Sequence, residues 1–154
     1  MDVDGTLTDG KIYIGNQGEM MKAFDIKDGY GIYHLLRPNG IEPIIITGRS
    51  SEIVKNRAAE LKITRLYQGI SEKLKVVDEI LQEFSQDEGT TYSYDNIAYI
   101  GDDLIDLPCM QLVGITGCPS DAHSRIIEIS DFVSKRQAGN GAVREFIDWL
   151  IDKE

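Results

Sequence analysis

The sequence predicts an α/β fold, a doubly wound parallel sheet with helices on both faces. Residues 41–46 form a β-branched run typical of a buried parallel strand, and residues 96–100 read as another strand. Stretches with apolar residues at helical spacing fall between them. The alternation is frequent enough that successive strands must run parallel, joined by crossover helices. At 154 residues the length fits one domain, 1–154, burying on the order of 70% of its unfolded surface.

The elements follow in order. Asp2 and Asp4 stand two apart at what should be the end of a strand, so their side chains share a face. Gly5 lets the chain turn sharply behind them. Residues 11–24, KIYIGNQGEMMKAF, read as two short strands around a Gly-Asn-Gln-Gly turn. A hairpin standing off the core has open edges, which soluble proteins blunt or pair with another chain. Asp28 reads as the N-cap of a helix through Leu36, closed by Pro38, Asn39 and Gly40. The strand at 41–46 then delivers Thr47, Gly48 and Arg49. Ser50 or Ser51 caps a helix whose apolar face is Ile53, Val54, Ala58 and Leu61, with Arg57 beside it.

A short strand at 66–68 leads through a turn to a helix carrying Lys73 near its start and Leu74, Val77, Ile80, Leu81 and Phe84 at helical spacing. Residues 85–95 read as a polar surface loop. The strand at 96–100 ends in Gly101, Asp102 and Asp103. A helix at 106–113, a strand at 114–116, a helix at 122–129 and a strand at 132–133 continue the alternation. Residues 134–141 read as a basic, loose tail, and 142–151 as a closing amphipathic helix.

Composition narrows the function. The formal charge of -10 argues against nucleic acid or an anionic membrane as partner, so a phosphorylated substrate must meet a local positive cluster. The acidic start does not resemble a secretory signal, and no apolar run is long enough to span a bilayer. Cys109 and Cys118 have no metal-type spacing and fit reduced core thiols of a cytoplasmic protein.

Paired acids beside bare amides suit a hard cation and a phosphate, because Mg²⁺ takes oxygen ligands and keeps phosphate oxygens and water in its shell. A calcium loop fails on register: counted from Asp2, its glycine and glutamate positions fall on Leu7 and Tyr13. In an open parallel sheet, ligands gather at the carboxyl ends of the strands. Four predicted ends carry reactive residues: Asp2 with Asp4, Thr47, the turn into Lys73, and Asp102 with Asp103. Each has a plainer reading alone, as an acidic turn, a strand-end cap, a solvated lysine or a helix-capping pair. Their shared placement is what points to chemistry.

With these residues in place, the chain resembles the haloacid dehalogenase superfamily of phosphatases. The resemblance rests on DVDGT, the threonine of ITGR, the lysine of GISEKL, and GDDLID. It is closest to the capless sugar-acid phosphatases acting on 3-deoxy-D-manno-octulosonate 8-phosphate, through KAFDIKDGYGI, IITGRSSEIVKNRAAEL, LYQGISEKL, AYIGDDLIDLP and GNGAVREF. The resemblance implies a Rossmann-like core with a protruding hairpin and no cap domain, and a Mg²⁺-dependent hydrolysis through an aspartyl-phosphate. Asp2 would be the nucleophile and Asp4 the acid and base. Thr47, Gly48 and Lys73 would hold the phosphoryl oxygens, and Asp2, Asp102 and the main-chain carbonyl of Asp4 the metal. Asp103 and Asp106 would stand behind them, orienting the ligands or Lys73. Lys27, Asp28, Arg49, Arg57 and Arg144 are the candidates for gripping the sugar acid. Members of this kind are typically tetrameric, which agrees with the hairpin's open edges.

The sequence departs from the family in places. Relatives lead into the nucleophile through an apolar strand, whereas here only Met1 precedes Asp2. Either the start is displaced or the remaining strands close over a gap. Thr6 stands where the subfamily often has valine. Arg49 bears on the substrate: relatives acting on the eight-carbon acid commonly read TGR there, and a nine-carbon-specific relative reads TGE. Two alternatives stay open, a phosphatase of a nine-carbon, sialic-type acid 9-phosphate, and a non-catalytic assembly domain like those attached to sialic-acid cytidylyltransferases.

Overall fold

The computed structural model describes residues 1–153, residue 88 by its backbone alone. After the loop that follows Asp2 the chain projects a hairpin, β1 (Tyr13–Gly15) and β2 (Gly18–Met21), paired antiparallel. Helix α1 (Ile26–Gly31) runs into a π-helical turn at Ile32–Leu36 and a 3-10 turn at Arg37–Asn39, where Gly40 ends it with φ 73°. There follow β3 (Ile44–Ile46), α2 (Glu52–Glu60), β4 (Arg65–Tyr67), α3 (Lys73–Glu88), β5 (Ala98–Ile100) and α4 (Leu107–Met110). Strand β6 (Ile115–Cys118), α5 (Ser124–Ile129), β7 (Phe132–Val133) and α6 (Ala142–Asp152) complete the chain.

Strand β3 pairs with β4, and β5 with β6 and β7, all parallel. Met1 and Asp2 occupy the space between these halves. The Met1 nitrogen donates to Ile44 O at 2.9 Å and Ile46 N donates to Met1 O at 3.0 Å, the alternation of a parallel pair. On the other side Asp2 N donates to Ile100 O at 3.1 Å. The expected gap in the sheet is therefore bridged, Met1 bonding to β3 and Asp2 to β5 through the backbone.

Successive strand residues feed opposite cores, as pleating requires. Ile45 and Ile100 join Val3, Ile32, Val54, Leu61, Phe146 and Ile147 on the face covered by α1, α2 and α6. Ile46 and Tyr99 join Val77, Ile80, Met110 and Ile126 on the face covered by α3, α4 and α5. Helix α6 buries Val143, Phe146, Ile147 and Leu150, the spacing of one helical face, each side chain contributing about 1.5–3 kcal/mol of transfer free energy.

Three local expectations are corrected. Asp25, not Asp28, caps α1, its side chain accepting from Lys27 N and Asp28 N. Asp28 is buried inside the helix and accepts from Arg144 N at 2.7 Å, fastening α1 to α6. Helix α3 continues through the polar residues 85–88, because its apolar face already supports the preceding turns and Gly89 stops it with φ 62°. The tail at 134–141 is not loose. Ser134 Oγ and Lys135 N donate to Glu145 at 2.7 and 2.9 Å, Ser120 N donates to Arg136 O at 3.0 Å, and Gly139 N donates to Thr6 O at 3.3 Å. The tail thus packs directly on the loop that follows Asp2.

Candidate active site

The loop after Asp2 is wound around one carbonyl. The amides of Thr6, Leu7 and Thr8 all donate to Val3 O, at 3.1, 2.9 and 3.1 Å. Gly5 makes the turn possible with φ 90°, and a Cβ there would lie 2.1 Å from Asp102 Oδ2. That close approach brings the strand ends carrying Asp2 and Asp102 together.

At the centre is a buried lysine. Lys73 Nζ lies 2.8 Å from Asp2 Oδ1 and 2.7 Å from Asp106 Oδ1, and its side chain is 0% exposed. Burial disfavours its charge, but Asp106 and Asp2 outweigh this and raise its pKa, so it stays an ammonium. The contact to Asp2 is an ion pair lacking hydrogen-bond direction, so Asp2 Oδ1 has no hydrogen-bond partner among the described residues.

Asp106 is fully engaged. Its Oδ1 also accepts from Tyr99 OH at 2.8 Å, and its Oδ2 accepts from Asp102 N and Asp103 N at 3.1 and 3.3 Å. It holds the Asp102 loop and Lys73 in one frame. Asp103 turns away to cap Leu104 N at 2.7 Å.

Asp102 accepts from Thr6 Oγ1 at 2.9 Å, so this threonine orients a carboxylate of the site. Oxygens of Asp2, Asp102 and Asp106 lie within 4.8 Å of one another. Because Asp106 is saturated, Asp2 and Asp102 are the two left to face a cation, and oxygen donors of this kind fit a hard divalent ion. Their crowding shows in the protonation. Asp102 is pushed up to about 7, chiefly by burial and further by Asp2, Asp106 and Asp103, against the Thr6 hydrogen bond. Asp2 is raised by burial and by Asp106, with Lys73 opposing. A cation would relieve both.

Asp4 is half-buried and ion-paired through Oδ1 with Lys22, while its Oδ2 is buried without a hydrogen-bond partner among the described residues. Thr47 is buried at the end of β3, where its N donates to Tyr67 O at 2.9 Å and its O accepts from Ile70 N at 3.1 Å. These bonds tie the threonine loop to the turn that introduces Lys73. Gly48 and Arg49 are exposed beside it, and Arg49 adds to the positive field around Glu19.

The remaining predicted contacts gather around α1, with partners of their own. Arg57 pairs with Glu60 at 2.8 Å and lies over the Phe24 ring at 5.5 Å. Arg144 pairs with Asp148 at 2.8 Å and covers Tyr30 at 5.1 Å. Lys27 is exposed and lines a shallow surface hollow with Ile26, Tyr30 and Arg144. Sequence reasoning missed Thr6, Tyr99, Glu19 and Lys22 as parts of the site. Lys22 had one usable signal, a cation placed two residues before Phe24 at the end of the hairpin.

Comparison with known proteins agrees with this geometry. No family model matches the chain. The 3-deoxy-D-manno-octulosonate 8-phosphate phosphatase of Escherichia coli K12 is 46% identical over 151 residues, covering 98% of this chain and 77% of that protein. The crystal structure of the Yersinia pestis phosphatase of the same name has a TM-score of 0.89 at 44% identity, covering 99% of this chain and 80% of that one. The Moraxella catarrhalis phosphatase, crystallised with magnesium ion, phosphate ion and 3-deoxy-D-manno-octulosonate, has a TM-score of 0.86 at 38% identity, covering 99% and 83%. A HAD superfamily hydrolase of subfamily III A from Legionella pneumophila has a TM-score of 0.87 at 38% identity, covering 98% and 79%. With relatives this similar over nearly its whole length, the chain belongs to the 3-deoxy-D-manno-octulosonate 8-phosphate phosphatase family of the haloacid dehalogenase superfamily.

Proposed function

We propose that the chain is a Mg²⁺-dependent phosphatase of 3-deoxy-D-manno-octulosonate 8-phosphate that works through an aspartyl-phosphate. The observation that carries the reading is the buried Lys73, joined to Asp2 at 2.8 Å and to Asp106 at 2.7 Å at the floor of a carboxylate cluster. In the first half-reaction an Asp2 oxygen bonds to phosphorus as the bond to the sugar oxygen breaks, and Asp4 gives that oxygen a proton. In the second, Asp4 takes a proton from water, the water oxygen bonds to phosphorus, and the bond to Asp2 breaks to release inorganic phosphate. Thr47, the Gly48 amide and Lys73 hold the transferring oxygens. Asp2, Asp102 and the Asp4 carbonyl would hold Mg²⁺, which would supply charge neutralisation at the phosphoryl group. Phosphate release from a panel of sugar-acid phosphates, with and without Mg²⁺, tests the assignment. The eight-carbon ester should turn over best and only with metal, and turnover of none would return the chain to a non-catalytic assembly role.

The metal has a second signature. A carboxylate whose pKa rises from 3.8 to about 7 on folding binds its proton more tightly in the native state. Stability of metal-free protein should therefore fall as pH rises across that interval. Burial also raises Asp28, to about 6, with the same sign, so the metal-dependent difference is the diagnostic. Added Mg²⁺ should raise the melting temperature more at pH 8 than at pH 5, where protons compete for Asp102. Equal shifts at both pH values would remove Asp102 from the metal site.

Three of the four relatives reported above are named as phosphatases of the eight-carbon ester, which favours it over the nine-carbon 9-phosphate. Arg49 is the proposed selector, since its exposed guanidinium can donate to the sugar's carboxylate or hydroxyls. Arg49→Glu should weaken kcat/KM on the eight-carbon ester by roughly 1–3 kcal/mol, the scale of a charge-assisted hydrogen bond, with a smaller loss on the nine-carbon ester. Equal losses on both would end its role as selector.

We also propose a homotetramer of single-domain subunits in the cytoplasm. Support comes from the hairpin, which leaves Ile14 70% and Met20 68% exposed along open strand edges. Two buried free thiols fit a reducing compartment. Light scattering at micromolar concentration should return four times the mass of the chain. A monomer would refute the assembly.

A further inference from the structure

The hairpin reaches the reacting centre through one buried cation. Lys22, just after β2, has a side chain only 1% exposed, and its Nζ makes two ionic contacts, to Asp4 Oδ1 and, at 2.9 Å, to Glu19 Oε1. Glu19 lies on β2, and its other oxygen accepts from Ser51 Oγ, the residue that caps α2 behind the Thr47 loop. A chain of polar contacts thus runs from the helix cap through the hairpin to Asp4.

Its effect on Asp4 is one-sided. Oδ1 is clamped by the ammonium, while Oδ2 is buried and has no hydrogen-bond partner among the described residues. A half-buried carboxylate on a glycine-containing loop has two free torsions and would otherwise sample several rotamers. Burying an ammonium is costly unless it is paired, and here the pairing groups are the general acid and an anchor on the hairpin. Lys22 is therefore placed to choose the rotamer of Asp4, and with it the direction in which the carboxyl group can pass a proton. We propose that Lys22 is a positioning residue for Asp4, and that Glu19 and Ser51 hold Lys22 in register, so that the seating of the hairpin sets the geometry of proton transfer to the leaving group. This rests on the reading of Asp4 as acid and base.

The test exploits the leaving group. A sugar alkoxide needs a proton to depart, whereas p-nitrophenolate leaves without one. Kcat/KM reports the steps through leaving-group departure, so it isolates the half-reaction in which Asp4 is the acid. General acid catalysis is worth about a hundredfold or more, and misplacing the acid should forfeit roughly a tenfold or larger part of it. Lys22→Met should lower kcat/KM at least tenfold more on the sugar-acid phosphate than on p-nitrophenyl phosphate, with KM nearly unchanged. Lys22→Arg should recover part of the loss. In an Asp4→Asn background, Lys22→Met should add nothing.

Glu19→Gln keeps the lysine while loosening its anchor, and should show a smaller loss with the same ester selectivity even if Lys22→Met folds poorly. Equal losses on both esters, or an additive loss on top of Asp4→Asn, would overturn the positioning role. If Asp4→Asn itself shows no ester selectivity, it is the assignment of Asp4 that fails. If Asp4→Asn is selective and both Lys22→Met and Glu19→Gln are not, the inference alone fails.

Discussion

Asp2→Asn abolishes turnover while leaving the protein folded. The amide keeps the volume of the carboxylate, and the Asp2 backbone bond to Ile100 O at 3.1 Å is untouched. In the proposed mechanism it loses the nucleophile and one of the two carboxylates left to meet a cation. Activity should fall by more than roughly a thousandfold, the scale on which removing one member of a concerted site acts. The change also removes the negative partner of Lys73, but Asp106 still lies 2.7 Å from that ammonium, so unfolding should remain cooperative. Phosphate release at saturating Mg²⁺, paired with a melting curve, makes the measurement. Retained activity in a folded Asp2→Asn protein would exclude the aspartyl-phosphate route.

Lys73→Met should lower activity and stability together, because this lysine balances two buried acids and, in the proposed mechanism, also holds the phosphoryl group. Losing one donor to the transferring group costs on the order of a hundredfold to a thousandfold in kcat. Leaving Asp2 and Asp106 facing one another without a cation costs about 3–5 kcal/mol, the penalty for breaking a buried pair. For a domain of this size that corresponds to a fall in melting temperature of roughly 6–20 °C. Adding Asp106→Asn should recover part of the stability and none of the turnover, separating the two roles. A single variant that melts like the parent and retains turnover within tenfold would mean that Lys73 is an ordinary buried ion pair.

The doubly wound core was legible from local patterns. β-Branched runs appeared at β3 and β5, apolar spacing appeared in α2, α3 and α6, and the hairpin turn declared itself through Asn16 and Gln17 between two glycines. Errors arose where a local signal met a tertiary one. Asp28 has the chemistry of a cap, but Asp25 took that position and Asp28 was drawn in to meet Arg144 N. The tail at 134–141 looks loose by composition, yet Glu145 and Thr6 fasten it with hydrogen bonds from sequence-distant elements.

The sequence by itself determined the residue types of the site and the strand ends that carry them, because side-chain alternation and crossover topology dictate where Asp2, Asp4, Thr47, Lys73 and Asp102 must emerge. Only the tertiary structure decided how those groups divide the work. Asp106 is saturated by Lys73, Tyr99 and two amides, Asp102 takes the Thr6 hydroxyl, and Asp4 receives a lysine from the hairpin. These partnerships join residues up to 96 positions apart. They depend on distances of a few ångströms and on which lone pairs are already occupied, and neither quantity is encoded in any local pattern of the chain.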